Sequence, residues 1–350
     1  MISFELPQPY LLFLADCTQP GFAKTALGVK DWAPERCIGE LHLPGGTVTT
    51  GLPEMTPAQA HAHGVRALLI GVAAVGGALE PHWLPTLLEA MEAGLDLISG
   101  LHTRLADIPL LAETAARTGR RLFDVRVPPQ GLPTGTGRRR TGRRLLTVGT
   151  DCALGKKYTA LALTRAFRAR GVAADFRATG QTGIMIAGAG LPIDAVVSDF
   201  VAGAAELLSP DSDADHWDVI EGQGSLFHPA YAGVSLGLLH GSQPDVLVLC
   251  HEAGRTALLG QPGYQLPSLG EAIELNLTLG RRVNPQVRCV AVSLNTSHLS
   301  EPAAYAAIRD VREELGLPCA DPLRHPVQFA EVVETCLAYE HSGQSASVLS

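Results

Sequence analysis

The chain has 350 residues, 46% of them hydrophobic and 18% charged, with a formal net charge of −8. That length exceeds what a single core usually fills, and the composition is too apolar for a disordered chain. The acidic balance argues against a protein that grips a nucleic-acid backbone. Seven cysteines without a CxxC pair read as reduced thiols, no apolar run is long enough to span a bilayer, and the expected location is the cytoplasm.

The first apolar run, YLLFLAD at 10–16, has no basic segment before it and contains Asp16, which predicts a strand rather than a signal peptide. Between 21 and 56 the patterning is irregular and predicts no placed element. VRALLIGVA at 65–73 predicts a second strand, followed by a Gly-Gly turn at 76–77. HWLPTLLEAMEAGL at 82–95 has helical spacing, DLISGL at 96–101 reads as a strand, LAETAARTG at 111–119 as a helix, and RLFDVRVPP at 121–129 as a last strand. Short apolar strands alternating with amphipathic helices imply a parallel sheet covered on both faces.

Periodicity vanishes in PPQGLPTGTGRRRTGRR at 128–144, and Pro, Gly and Thr dominate. This predicts a linker, with Arg138, Arg139, Arg140, Arg143 and Arg144 as solvated cations. Alternation then resumes through the strand RLLTVGT at 144–150, the helix KKYTALALTRAFRARG at 156–171, and further strands beginning at 173, 217, 244 and 287. The predicted division is 1–130 for the first domain, 131–143 for the linker and 144–350 for the second domain. The last residues predict a frayed polar tail.

In parallel α/β sheets ligands collect at the carboxyl ends of the strands. Five polar, glycine-punctuated strand ends fall in the second half: 149–157, 177–183, 221–228, 251–255 and 295–298. The first, GTDCALGKKYT, joins a strand to a helix N-terminus through glycines and two lysines, an arrangement that offers backbone N–H groups and charge to a phosphate. Gly149 and Gly155 stand one residue too far apart for a strict P-loop, so Thr150 takes the first glycine position. The predicted phosphate-binding set is Gly149, Thr150, Asp151, Cys152, Ala153, Gly155, Lys156, Lys157 and Tyr158. Asp151 has two readings, ligand contact or a hold on the loop's own N–H groups. Cys152 also has two, a small loop filler or an acetyl-carrying thiol.

GTDCALGKK resembles the GTDT…GKT loop of dethiobiotin synthetase and related small-molecule P-loop enzymes, with RATGQTG and EGQGS in the places of its second and third strand ends. That likeness implies substrate positions at Arg177, Thr179 and Gln181 and a Glu221 that faces substrate or metal; Thr182, next in the chain, is a further substrate-binding candidate. More of the chain resembles the D-glutamate N-acetyltransferase family, bacterial proteins that pair a Rossmann-like domain with a P-loop domain of the SIMIBI type. The stretches that carry this likeness are GTDCALGKKYTALAL, FRATGQTGIMIAG, PIDAVVSDFVAGAAE, VIEGQGSLFHPAYAGVSLGLLHGSQPD and SLNTS.

The resemblance implies transfer of an acetyl group from acetyl-CoA to D-glutamate, a metabolic partnership with an N-acetyl-D-glutamate racemase, and a homo-oligomer. It also accounts for Lys157. A kinase-like loop places Ser or Thr there to hold Mg²⁺, whereas thioester chemistry needs phosphates held and not transferred. On this reading Arg177 and Arg255 meet the substrate carboxylates and Glu221 is the base, with His251 and His228 behind it. Gln223 or the N–H groups of 222–225 receive the oxyanion, and Ser225 and His228 line the acceptor. No metal is expected, since His61 and His63 lack further ligands. A Mg-ATP-dependent ligase or kinase of the dethiobiotin synthetase type and a non-catalytic nucleotide sensor remain the alternatives.

Overall fold

The computed structural model describes residues 5–72 and 77–339; Gly76 of the expected turn and the tail from 340 lie outside the described residues. The chain divides into two units, the first holding the chain up to Pro129 together with Gly180–Ala195, the second holding Gln130–Thr179 and the chain from Val196 onward.

In the first unit β1 (Tyr10–Ala15), α1 (Lys24–Trp32), β2 (Cys37–His42), α2 (Pro57–Ala62), β3 (Ala67–Ile70), α3 (Leu84–Glu92), β4 (Asp96–Ser99), α4 (Pro109–Thr118) and β5 (Leu122–Asp124) alternate. The five strands form a parallel sheet in the order β2-β1-β3-β4-β5. Every residue of β1, β3 and β4 is buried, as expected of strands covered on both faces. The irregular stretch at 21–56 contains α1 and β2. Their signal is weak because α1 buries only Ala26, Gly28 and Val29, which leave no stripe of large apolar residues to read.

The second unit contains β6 (Arg143–Gly149), α5 (Lys156–Ala169) and β7 (Ala174–Arg177). The chain leaves it for α6 (Gln181–Ala187) and returns with α7 (Val201–Leu208), β8 (Trp217–Ile220), α8 (Ala232–Ser242) and β9 (Val246–Glu252). A hairpin of β10 (Ala257–Leu258) and β11 (Gln261–Gln265) follows, then α9 (Leu269–Gly280), β12 (Arg288–Asn295), α10 (Glu301–Leu315), β13 (Cys319–Ala320) and α11 (Pro326–Leu337). The parallel sheet runs β13-β12-β9-β6-β8-β7, which places the glycine loop after β6 between the ends of β8 and β9. The structure bears out the α/β class with a Rossmann-like unit and a P-loop unit.

Two expectations are corrected. The stretch 144–350 is not one uninterrupted domain, because α6 packs in the first unit. There the Thr182 and Thr25 hydroxyls lie 3.2 Å apart and Arg36 Nη1 donates to the Ile186 carbonyl at 2.7 Å. Ile184, Met185 and Ile186 are buried, which is the apolar reason for the excursion.

The basic run is a solvated connector only in part: Arg138 and Arg139 are exposed, whereas Arg140 and Arg144 are buried. Arg140 is buried and caps two helix C-termini, Nη1 donating to the Glu206 and Ser209 carbonyls and Nη2 to those of Gly241 and Ser242. Burial and the neighbouring Arg144 bring its pKa down to about 10. Arg144, 1% exposed, bonds Ser209 Oγ at 2.9 Å, and Arg139 pairs with Asp245 at 2.7 Å.

Candidate active site

The glycine loop is built as its sequence demands. Ala153 and Gly155 both take left-handed backbone, Gly155 serves as the N-cap of α5, and the first turn of that helix begins with Lys156. A side chain at Gly149 would press on Lys156 Nζ at 3.3 Å and the Cys250 carbonyl at 3.1 Å, so the glycine is what lets the lysine fold under the loop. Lys156 is buried, and its Nζ donates to the Asp151 carbonyl at 2.6 Å. Burial holds its pKa below the ordinary lysine value against the pull of nearby Cys250, Cys152, Asp151 and Glu221. The ammonium of Lys157 lies 4.7 Å from the centre of the Tyr158 ring.

Asp151 takes the structural of its two readings. Its carboxylate is 0% exposed, with Oδ1 accepting the Cys152 N–H at 2.6 Å and Oδ2 accepting the Leu259 N–H at 2.7 Å and Arg255 Nη1 at 3.1 Å. It clasps the phosphate loop to the β10–β11 hairpin. Burial raises the pKa of the Cys152 thiol, with Lys156 opposing, which is the wrong direction for a resting nucleophile.

The two threonine hydroxyls nearest the loop each have a protein partner. Thr159 Oγ1 lies 2.7 Å from Ser293 Oγ, and Thr150 Oγ1 lies 2.8 Å from His251 Nδ1.

Glu221 follows β8 and is 5% exposed; Oε2 accepts the Thr179 N–H at 3.0 Å, and its carbonyl accepts the Thr179 hydroxyl at 2.8 Å. Two expected oxyanion donors are already engaged, Gly222 wholly and the Gln223 amide through one of its two N–H groups. Thr147, which the sequence reading missed, accepts the Gly222 N–H at 2.9 Å, and the Gln223 amide donates to Thr179 Oγ1 at 2.8 Å. Ser225 is buried, its Oγ accepting the Phe227 N–H in a local turn.

The arginines also depart from expectation. Arg177 Nε donates to Asp218 at 2.6 Å and Nη2 lies 3.4 Å from Asp175. Register explains this: Arg177 pairs with Ile220 and Asp175 with Asp218, so period-two alternation turns all four to one face of the sheet, and a guanidinium there meets carboxylates before any substrate. Four of the five N–H groups of Arg255 go to Glu252, Asp151 and the Cys152 carbonyl, which leaves one. Gln181 and Thr182 lie in the first unit, where Gln181 packs on Gly100.

His251, at the end of β9, lines an open cleft of about 560 Å³ together with Arg255, Thr256, Gln265, Leu269 and Leu294. Burial, then the charge of Arg255, lowers its pKa below 6.5, with Glu252 opposing. The ring is therefore neutral at physiological pH. Its partner, the Thr150 hydroxyl, can accept as well as donate, so the ring can carry its proton on Nδ1 and present a lone pair at Nε2. The cleft residues from 256 to 269 carried no motif for sequence reasoning, although the S-L-G-E capping box at Ser268–Glu271 was there to mark the start of α9.

Ligand atoms of Asp151, Cys152 and His228 gather within 4.8 Å of one another, as do those of Asp175, His216 and Asp218. Neither group suits a metal. A metal-bound imidazole donates from its other nitrogen, whereas His228 Nδ1 accepts the Ala230 N–H at 3.1 Å. In the second group Arg177 already pairs with both carboxylates.

The family model described as "Domain of unknown function (DUF1611_C) P-loop domain" matches residues 132–330, and its partner, "Domain of unknown function (DUF1611_N) Rossmann-like domain", matches residues 42–128. This chain belongs to the DUF1611 family. A solved DUF1611 family protein from Anabaena variabilis superposes with a TM-score of 0.84 at 35% identity, over 95% of this chain and 100% of that one.

Two curated relatives bear the name D-glutamate N-acetyltransferase. The one from Tritonibacter scottomollicae is 51% identical over 317 residues, 91% of this chain and 95% of the relative. The one from a Pseudoalteromonas species is 46% identical over 323 residues, 92% and 97%. Among the described residues of this DUF1611 protein no helix is long and apolar enough to cross a membrane.

Proposed function

We propose that the chain transfers an acetyl group from acetyl-CoA to the amino group of D-glutamate. The observation that carries this reading is the pair of relatives of that name, each matched over nearly its whole length. The glycine loop supports the donor: two lysines follow the turn, and the Thr150 and Thr159 hydroxyls face His251 and Ser293. Loop N–H groups and Lys156 hold the phosphates of the coenzyme. His251 takes a proton from the substrate ammonium; the amine attacks the thioester carbonyl, a C–N bond forms, the C–S bond breaks with its electron pair on the coenzyme sulfur, and the second proton lost by the nitrogen goes to that sulfur. The remaining N–H of Arg255 faces a substrate carboxylate.

The seven cysteines, all free, fit a reducing cytoplasm. The reading includes a homo-oligomer, for which exposed Leu259 and Tyr264 offer apolar surface, and a racemase that takes up the N-acetyl product.

The test is release of coenzyme thiol and appearance of N-acetyl-D-glutamate by mass spectrometry when the purified chain meets acetyl-CoA and D-glutamate with a metal chelator present. Turnover is expected. Turnover that requires Mg-ATP, or none with any amino acid, would overturn the reading.

A pH dependence follows from Lys156. Its folded-state pKa is lowered, so the cradle loses its charge as pH rises through that lowered value, and KM for acetyl-CoA is expected to climb on the alkaline side before an ordinary lysine would titrate. Steady-state kinetics across the alkaline range check this, and a KM flat up to the ordinary lysine range would contradict it.

A further inference from the structure

We propose that His228 is a catalytic hydrogen-bond donor, a neutral imidazole whose Nε2–H holds the acetyl carbonyl oxygen as that oxygen gains negative charge; the assignment rests on the acetyl-transfer reading above. The ring is 4% exposed and stacked on Tyr231 with centroids 4.5 Å apart. Its Nδ1 faces the backbone N–H of Ala230 at 3.1 Å. A backbone amide only donates, so Nδ1 must supply the lone pair and the proton of the neutral ring sits on Nε2. His251 differs here, because its hydroxyl partner permits either arrangement.

Nε2 of His228 has no hydrogen-bond partner among the described residues, although the ring is almost wholly buried. The nitrogen itself is not among the polar atoms closed off without a partner, so this fixed donor stands open to a ligand. Its position names the ligand. His228 lies within 4.8 Å of the Asp151 carboxylate and the Cys152 thiol, at the turn of the glycine loop, and that carboxylate is already satisfied by Cys152, Leu259 and Arg255. The Gly222 N–H, which could otherwise have received an oxyanion, is spent on Thr147, and one of the two N–H groups of the Gln223 amide is spent on Thr179.

Phosphates have the lysines and the N-terminus of α5 to meet them. A neutral donor fixed by a backbone amide suits a carbonyl oxygen that becomes charged only during reaction. The same geometry removes His228 from the candidate bases, since its only accepting nitrogen is occupied.

The experiment compares the full chain with His228→Ala and His228→Gln, the Gln amide being able to present an N–H near the Nε2 position. Kinetics are joined to ¹⁵N spectra of histidine-labelled protein, with the His228 signals assigned by their absence from the Gln variant. The wild-type ring is expected in the Nε2–H tautomer at pH above the histidine range. Ala is expected to lower kcat by roughly 10²-fold or more, with KM for acetyl-CoA nearly unchanged, and Gln to recover most of that loss.

An Nδ1–H tautomer would overturn the proposal, as would Ala kinetics equal to wild type or a rise in KM at constant kcat, which would mark a phosphate contact. A Gln variant that melts like wild type yet is no better than Ala would also overturn it. Wild-type protein without acetyl transfer would sink the underlying reading, whereas wild-type turnover with an unaffected Ala variant would sink only the carbonyl contact.

Discussion

Asp151→Ala is expected to cost roughly 3–5 kcal/mol of stability, toward the lower end of that range. The carboxylate is buried and gathers three donors, the N–H groups of Cys152 and Leu259 and the guanidinium of Arg255. Removing it strands two backbone donors, at about 1–3 kcal/mol for each that water cannot reach, and deprives Arg255 of one of its two carboxylates. Glu252 still holds that guanidinium at 2.7 Å, which moderates the loss.

Asp151→Asn should fall between, because its amide keeps one accepting oxygen and turns an NH₂ toward a donor. Denaturant unfolding of Asp151→Ala, Arg255→Met and the double variant checks the argument. The double variant should lose less than the sum of the single ones, since the contact between Asp151 and Arg255 is then lost only once. A single-variant loss below about 1 kcal/mol would show that the clasp between loop and hairpin is not what holds them.

How far the site could be read from the sequence followed how local its physics is. The phosphate loop is a matter of consecutive residues: glycines that tolerate left-handed backbone, a lysine at the helix start, a strand before and a helix after. All of that is written between Thr147 and Ala160. The arginines show the opposite case. Nothing near Arg140 in the chain announces the C-termini of α7 and α8 that it caps, and a run of arginines beside glycines looks like a solvated tether until its partners are folded against it.

Arg177 failed for a different reason. Its strand end was placed correctly, but which face its side chain takes depends on the register with β8, and a shift of one residue would have turned it over. The excursion of α6 into the first unit was hidden because Ile184, Met185 and Ile186 look the same whichever core they fill. Glu221 and His251 were both legible as polar strand ends. What separates them is environment: a carboxylate held by Thr179, and an imidazole on the wall of a cleft.

That contrast gives the second large effect. His251→Gln is expected to lower kcat/KM by roughly 10²–10⁴-fold, the usual contribution of a positioned base. The accompanying pH profile carries more information than the loss itself. Burial and Arg255 depress the pKa of His251 in the folded protein, so the ring stays neutral until the pH falls below the ordinary histidine value of 6.5. The wild-type acid limb should therefore lie below that value.

The sign for stability is the same: the unfolded state binds the proton first, so the ring's contribution is present above 6.5 and is lost as pH drops toward the depressed value. Arg255→Met removes a neighbouring positive charge and should move the limb upward, while Glu252→Gln removes the opposing negative charge and should move it further down. If Glu221 is the base instead, the limb persists in His251→Gln and vanishes in Glu221→Gln. The two carboxamide variants therefore assign the proton acceptor.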